Sequence, residues 1–238
     1  MSIRKKMLQA MVHDRSEATN RSTIHSVSRR RTEQNYRFAA RYCAGARVLD
    51  IGPGYGLGYE HLLAAQPEKI TCMDYYDSAK EHFHVSDERI EFVHADFFSN
   101  DLPDHSFDAI LCIATIYYLP NLEDFFTQVR RLLKPGGVLV INNFDREVIR
   151  YYFGHELQDL DARYGAMYSG AAFRDLLEQQ LGATPEHYLQ SPVRLKGLSR
   201  FTLPLRLPFS PAVIIPASPR LQGVYNYYVV QKLDKECV

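Results

Sequence analysis

Three aspartates and a cluster of glycines carry the chemistry most visible in this sequence. Asp50 opens the run Asp50-Ile51-Gly52-Pro53-Gly54-Tyr55-Gly56, directly after the apolar residues Val48 and Leu49. Glycines at this spacing let the backbone take positive φ and come close to a ligand, and a helix starting just beyond aims its amide groups into the same space. Asp74 ends the next apolar run, eighteen residues past Gly56, and Asp96 ends the one after. A carboxylate placed like Asp74 can accept both hydroxyls of a ribose. Asp96 is placed to meet an adenine amino group, and reads also as a simple helix cap. The glycines do not fit a dinucleotide site: its G-x-G-x-x-G pattern would need a glycine where Leu57 stands.

Groups able to move a proton are harder to single out. His25, Tyr117, Asp145 and His155 are candidates for a general base, and no spacing fixes any of them. A lone histidine is more often structural, and Tyr117 reads equally as a core aromatic. Cys43, Cys72, Cys112 and Cys237 lie far apart, without a C-x-x-C pair, and read as small buried hydrophobes.

The elements that must hold these residues alternate. Tyr36, Ala39, Ala40 and Cys43 make one apolar helical stripe from Thr32 onward, stopped at Gly45. Strands are expected at 47–51, 69–73, 90–95, 107–113 and 138–142. Helices are expected at 59–65, around 78–83, and over 122–133, the last closed by Lys134-Pro135-Gly136-Gly137. Continuous apolar strands separated by helices imply a parallel sheet covered on both faces, a doubly wound α/β fold. Beyond Asp145 a helix is expected over 146–164 and another over 171–181, capped by Ser169 and ended by Gly182. Strands are expected at 186–190 and 225–232. The prolines at 192, 204, 208, 211, 216 and 219 argue against helix or central strand between them.

Five motifs together, VLDIGPGYG (48–56), Asp74, Ala95-Asp96-Phe97, FDAILCIATIYYL (107–119) and LLKPGGVLVI (132–141), resemble the class I S-adenosylmethionine-dependent methyltransferases. The resemblance covers roughly residues 33–145. It implies a Rossmann-like, mostly parallel sheet of seven strands, the last one antiparallel, with N-terminal helices and a C-terminal proline-rich cap or insertion. It divides the chain into an arm at 1–31 and a domain at 32–238, with the cofactor half at 45–145 and substrate or cap elements at 146–170 and 191–222. The cofactor implied is S-adenosyl-L-methionine. Gly52, Pro53, Gly54 and Gly56 would line its methionine part, Asp50 would anchor the loop and help place the amino group, and Tyr36 is counted with them. Asp74 would hold the ribose, Tyr75 would lie against the adenine, Asp96 and the Phe97 amide would read the adenine edge, and the Ile113 backbone would face the methionine amine. Metal-assisted relatives carry acids after strands four and five, where Ala114-Thr115-Ile116 and Asn142-Asn143 stand here, so no metal site is expected.

The acceptor implied is a small molecule. The Asn/Asp-Pro-Pro-aromatic motif of nucleobase-methylating relatives is absent, and 28 basic residues balance 28 acidic ones, giving no electrostatic footprint for nucleic acid. Tyrosines 117, 118, 151, 152, 164 and 168, with Phe144 and Phe153, would line an aromatic cavity or simply pack beneath a cap. The apolar, proline-rich stretch 201–219 reads as a lid, a homodimer contact or a docking surface. No run approaches the roughly 20 apolar residues of a membrane span, and the cationic opening is too soon interrupted for a signal peptide, so a cytoplasmic protein is expected. Two other classes compete with the enzyme. One is a methyltransferase-like subunit that binds without catalysis, since no catalytic group is certain. The other is an NAD-dependent oxidoreductase, disfavoured because Lys80 stands at the wrong offset from Tyr75 and Tyr76 for a Tyr-x-x-x-Lys pair.

Overall fold

Val48, Leu49 and Ile51 in β1 (Arg47–Ile51) are buried almost completely, as are Ile70, Cys72 and Met73 in β2 (Lys69–Asp74). Strands so apolar on both faces need helices above and below, and the computed structural model, which describes residues 23–147, 168–195, 214–218 and 221–232, supplies them. Helix α1 is Thr23–Ala39, followed by a 3-10 turn at Ala40–Tyr42; α2 is Tyr59–Ala64, α3 Asp77–His82, and β3 Ile90–His94. After β4 (Phe107–Cys112) come a 3-10 turn at Ile116–Tyr118, α4 (Leu122–Leu132) and β5 (Leu133–Phe144). The rest comprises α5 (Gly170–Leu181), β6 (Glu186–Leu195), β7 (Ile214–Pro216) and β8 (Leu221–Gln231).

The described strands form one sheet in the order β3-β2-β1-β4-β5-β8-β6-β7. The first five are parallel, and β8 runs antiparallel between β5 and β6. The doubly wound expectation therefore holds, with eight strands and not seven: β7 adds a short antiparallel edge beside β6. Because β1 is flanked by β2 on one side and β4 on the other, the strand order reverses there. Such a switch point, outside the carboxyl ends of the strands, is where open α/β sheets bind ligands.

Three local departures from expectation have physical causes. Helix α1 begins by Thr23, well before Thr32, and the basic residues ahead of Thr32 find partners: Arg29 pairs with Glu33 at 2.9 Å and Arg31 lies 4.7 Å over the Tyr225 ring. The Lys134-Pro135-Gly136-Gly137 segment does not precede β5 but bulges within it, the register passing from Phe107↔Leu133 to Ala109↔Val138, with Gly136 at φ 71°. Pro192 lies inside β6, where the pairing with β8 slips between Gln190 and Val193, and Pro216 ends the edge strand β7. A bulge and an edge are the two places where a sheet tolerates a residue without N–H. The expected helix at 146–164 lies outside the described residues beyond Glu147, as does most of 201–219.

Helix α5 carries its caps as the sequence implied. Ser169 accepts a hydrogen bond from the Ala172 amide, and Gly182 closes the helix at φ 75°. Ser169→Ala is expected to lower stability by about 1 kcal/mol, read as a lower chemical-denaturation midpoint with an unchanged slope. Among the described residues no helix is long and apolar enough to cross a membrane.

Candidate cofactor site

Asp50 is the most constrained group of the site. It is fully buried at the end of β1, and its Oδ2 accepts hydrogen bonds from the hydroxyls of Tyr36 (2.9 Å) and Tyr59 (2.5 Å). Its Oδ1 is buried without a hydrogen-bond partner. Burial raises the Asp50 pKa to about 6, against the two tyrosine hydrogen bonds, which lower it. A buried carboxylate oxygen left unpaired is costly, and it suits a ligand that brings a cation or a donor.

The loop after Asp50 is built for close approach. Gly52, Gly54, Gly56 and Gly58 all have positive φ. A Cβ on Gly52 would stand 2.6 Å from Thr115 Oγ1, while a Cβ on Gly54 would meet nothing within 4 Å. The loop is thus packed on its β4 side and open at its tip. At its end, a Cβ on Gly58 would lie 2.9 Å from Tyr36 Cβ, so α1 rests directly on the loop.

Asp74, at the end of β2, accepts the Tyr76 amide at 3.0 Å. Burial raises its pKa, while the amides of Tyr76, Tyr75 and Gly54 act in the opposite direction. The Gly54 contribution brings the β2 acid and the glycine loop together. Tyr75 is 65% exposed beside it, as a ring able to cover a ligand must be. Asp96 follows β3 and accepts the Phe98 amide at 2.9 Å through Oδ1, while its carbonyl accepts the Ser99 amide; these bonds close a turn, and no helix follows it, so the helix-cap alternative does not hold. The Phe97 ring is buried against Phe125.

At the end of β4, Ala114 takes φ 57°, a left-handed conformation rare for a residue with a Cβ. Its amide donates to Asn142 Oδ1 at 2.6 Å. Thr115 Oγ1 lies 3.0 Å from the Ile113 carbonyl and 3.4 Å from that of Gly52, joining this turn to the glycine loop. Tyr117 is buried in the following 3-10 turn, its ring 4.4 Å from Phe144, which lies 4.6 Å from Tyr225. Of the expected aromatics, Tyr117, Tyr118 and Phe144 group here and are joined by Tyr225, which was not among them; Tyr168 lies instead against Phe173 at 5.8 Å, and Tyr151, Tyr152, Phe153 and Tyr164 lie outside the described residues.

Of the proton-transfer candidates, Tyr117 and Asp145 have described side chains. Asp145 is buried and accepts from the amides of Glu147 (3.0 Å) and Gly170 (3.1 Å) and from Asn226 Nδ2 (3.2 Å), tying β5 to the start of α5. His25 falls in the first turn of α1, and His155 lies outside the described residues. Tyr36 reaches the site through Asp50, its hydroxyl being engaged there. Sequence reasoning passed over Tyr59, Thr115 and Asn142. For Asn142 a signal existed, since an amide continuing the strand directly after the apolar run Val138–Ile141 must find a partner.

A mostly parallel sheet with antiparallel β8 beside β5 and a glycine loop at its switch point is the fold of the class I methyltransferases, to which β7 adds an edge strand. Residues 49–141 match the family model described as "Methyltransferase domain", a stretch that holds the glycine loop, Asp74 and Asp96. The chain is 28% identical over 163 residues to a sterol 24-C-methyltransferase of Gibberella zeae, covering 60% of this chain and 43% of that one. It is 29% identical over 116 residues to a ubiquinone biosynthesis O-methyltransferase of Dechloromonas aromatica, covering 46% and 49%. The matched part therefore spans less than half the length of these relatives. The crystal structure of a methyltransferase from Thermotoga maritima shares the fold, with a TM-score of 0.62, 17% identity and coverage of 86% of this chain and 90% of that one.

Proposed function

We propose that this chain transfers the methyl group of S-adenosylmethionine to a small-molecule acceptor, at oxygen or nitrogen, by in-line displacement. The observation that carries the reading is the unpaired, buried Oδ1 of Asp50 beneath a glycine loop that is open at Gly54 and bordered by Asp74. In this reading Asp50 and the Ile113 carbonyl receive the cofactor's ammonium group, Asp74 accepts its ribose hydroxyls, and Tyr75 covers the adenine beside Asp96 and Phe97. The sulfonium supplies an already activated methyl group when bound. The protein then has to align the acceptor and exclude water. Tyr117, Phe144 and Tyr225 give an apolar wall suited to excluding water. Asp145 already accepts three hydrogen bonds, which supports a structural role for it and leaves Tyr117, in the turn after Thr115, as the described candidate nearest the β4 end of the cradle. The sterol and ubiquinone methyltransferases among the relatives support small acceptors as a class.

Calorimetric titration with S-adenosylhomocysteine and with NAD tests the cofactor, and transfer of labelled methyl to an acceptor panel tests the activity. Asp74→Ala is expected to weaken binding of the nucleoside by about 1 to 3 kcal/mol, the usual cost of stranding hydrogen-bonding groups. Unchanged affinity in the folded variant removes the ribose assignment, and binding of NAD in place of S-adenosylhomocysteine removes the whole reading.

A further inference from the structure

Two neighbouring residues of α1 reach the two sides of the cradle by separate routes. Tyr36 donates to Asp50 on the β1 side. Asn35, nearly fully buried, accepts from the Tyr227 hydroxyl and, at 2.8 Å, from Gln190 Nε2. Tyr227 in turn accepts from Asn142 Nδ2 at 3.0 Å, and Asn142 Oδ1 holds the left-handed Ala114 amide at 2.6 Å on the β4 side. Every side chain of this second route is buried. A fully satisfied polar chain in a low-dielectric interior is stiff, because breaking any link strands a group that water cannot reach. The two routes meet again where Thr115, next to Ala114, touches the Gly52 carbonyl.

A left-handed alanine costs roughly 1 to 2 kcal/mol, and an ordinary apolar residue at 142 would not hold it. Strain maintained by the surroundings marks a position whose geometry is used.

We infer that α1 is the positioning element for the amino-acid half of the cofactor: Tyr36 through Asp50, and Asn35 through Tyr227 and Asn142 to Ala114, hold the two walls that receive it. The inference rests on the methyltransferase reading above. Asp50 and the Ile113 carbonyl would bracket the ammonium and carboxylate end, whereas the adenosine end would rest on Asp74, Tyr75 and Asp96, which neither route touches. The groups facing Asp50 are Tyr36 from α1, Tyr59 from α2, Cys72 from β2, Cys112 from β4, Cys43 after the first 3-10 turn, and Asp74. Among these described groups the two tyrosine hydroxyls donate to it, so removing one raises the pH at which Asp50 ionises.

The test uses the full chain and three variants that each remove one hydroxyl: Tyr36→Phe, Tyr227→Phe, and Tyr188→Phe. Tyr188 also packs against α1, its ring 4.8 Å from Phe38, but its hydroxyl goes to Glu186 and lies on neither route. S-adenosylhomocysteine and 5′-methylthioadenosine, which lacks the amino-acid tail, are titrated into each. Tyr36→Phe and Tyr227→Phe are expected to weaken S-adenosylhomocysteine about threefold to tenfold and to leave 5′-methylthioadenosine unchanged, with Tyr188→Phe like the parent for both. The pH midpoint of S-adenosylhomocysteine affinity is expected to move up in Tyr36→Phe alone. Equal weakening of both nucleosides means general loosening and overturns the inference, as does parental affinity in both route variants. If the parent protein binds neither nucleoside, the methyltransferase reading itself falls, an outcome distinct from the other two.

Discussion

Gly54→Ala is expected to fold with modestly reduced stability and to lose cofactor affinity tenfold or more, about 1.4 kcal/mol. The backbone at φ 57° makes any Cβ there unfavourable by roughly 1 to 2 kcal/mol, but the new methyl would touch no protein atom within 4 Å. It would instead enter the space that the methionine part of the cofactor is to fill, where overpacking carries a further penalty. Gly52→Ala is the contrasting case. Its methyl would stand 2.6 Å from Thr115 Oγ1 and 2.8 Å from Thr115 Cγ2, so the protein itself must shift and stability falls with binding. Thermal unfolding and calorimetry on the two variants separate the effects. Parental affinity in folded Gly54→Ala would mean that nothing crosses the loop at its tip.

Asp50→Asn is expected to stabilise the ligand-free protein above pH 6 and to weaken cofactor binding there. Asp50 ionises near pH 6 in the fold, against about 3.9 for an unstrained aspartate. Between those values the folded state holds a proton that the unfolded chain has given up, so stability declines as pH rises through the interval and stays low above it. The displacement corresponds to up to about 3 kcal/mol. Asparagine keeps an oxygen for Tyr36 and Tyr59 and has no charge to bury, so the variant should be flat with pH where the parent falls. A cationic ligand group favours the ionised aspartate, so parental affinity should climb through pH 6 while that of the variant does not. Chemical denaturation and calorimetry at pH 5 and pH 8 decide it, and identical pH slopes for the two proteins would refute the assignment.

Much of this arrangement was legible in the sequence because it depends on local rules. The glycine loop, Asp74 and the Ser169 and Gly182 caps are each set by a turn or a strand end, and the structure has them where spacing put them. What was not legible depends on pairing between distant elements. Tyr227 meets Asn35 across 192 positions, and Gln190 meets Asn35 across 155. Nothing in either neighbourhood names the other. The β7 edge strand was missed because three residues around a proline carry no period of their own. Pro192 misled for a related reason: a bulge is defined by its partner strand, and the sequence of one strand does not reveal it.

The three thiols around Asp50 gain a meaning from its burial. Cys43, Cys72 and Cys112 are all closed off from solvent, and burial together with the neighbouring carboxylate holds each in its protonated, unreactive form, Cys43 ionising only near pH 12. Thiol reagents attack the thiolate, so at these positions they can act only during moments when the interior opens. The rate of their modification is a clock for those openings, and a ligand that seals the cradle would slow it.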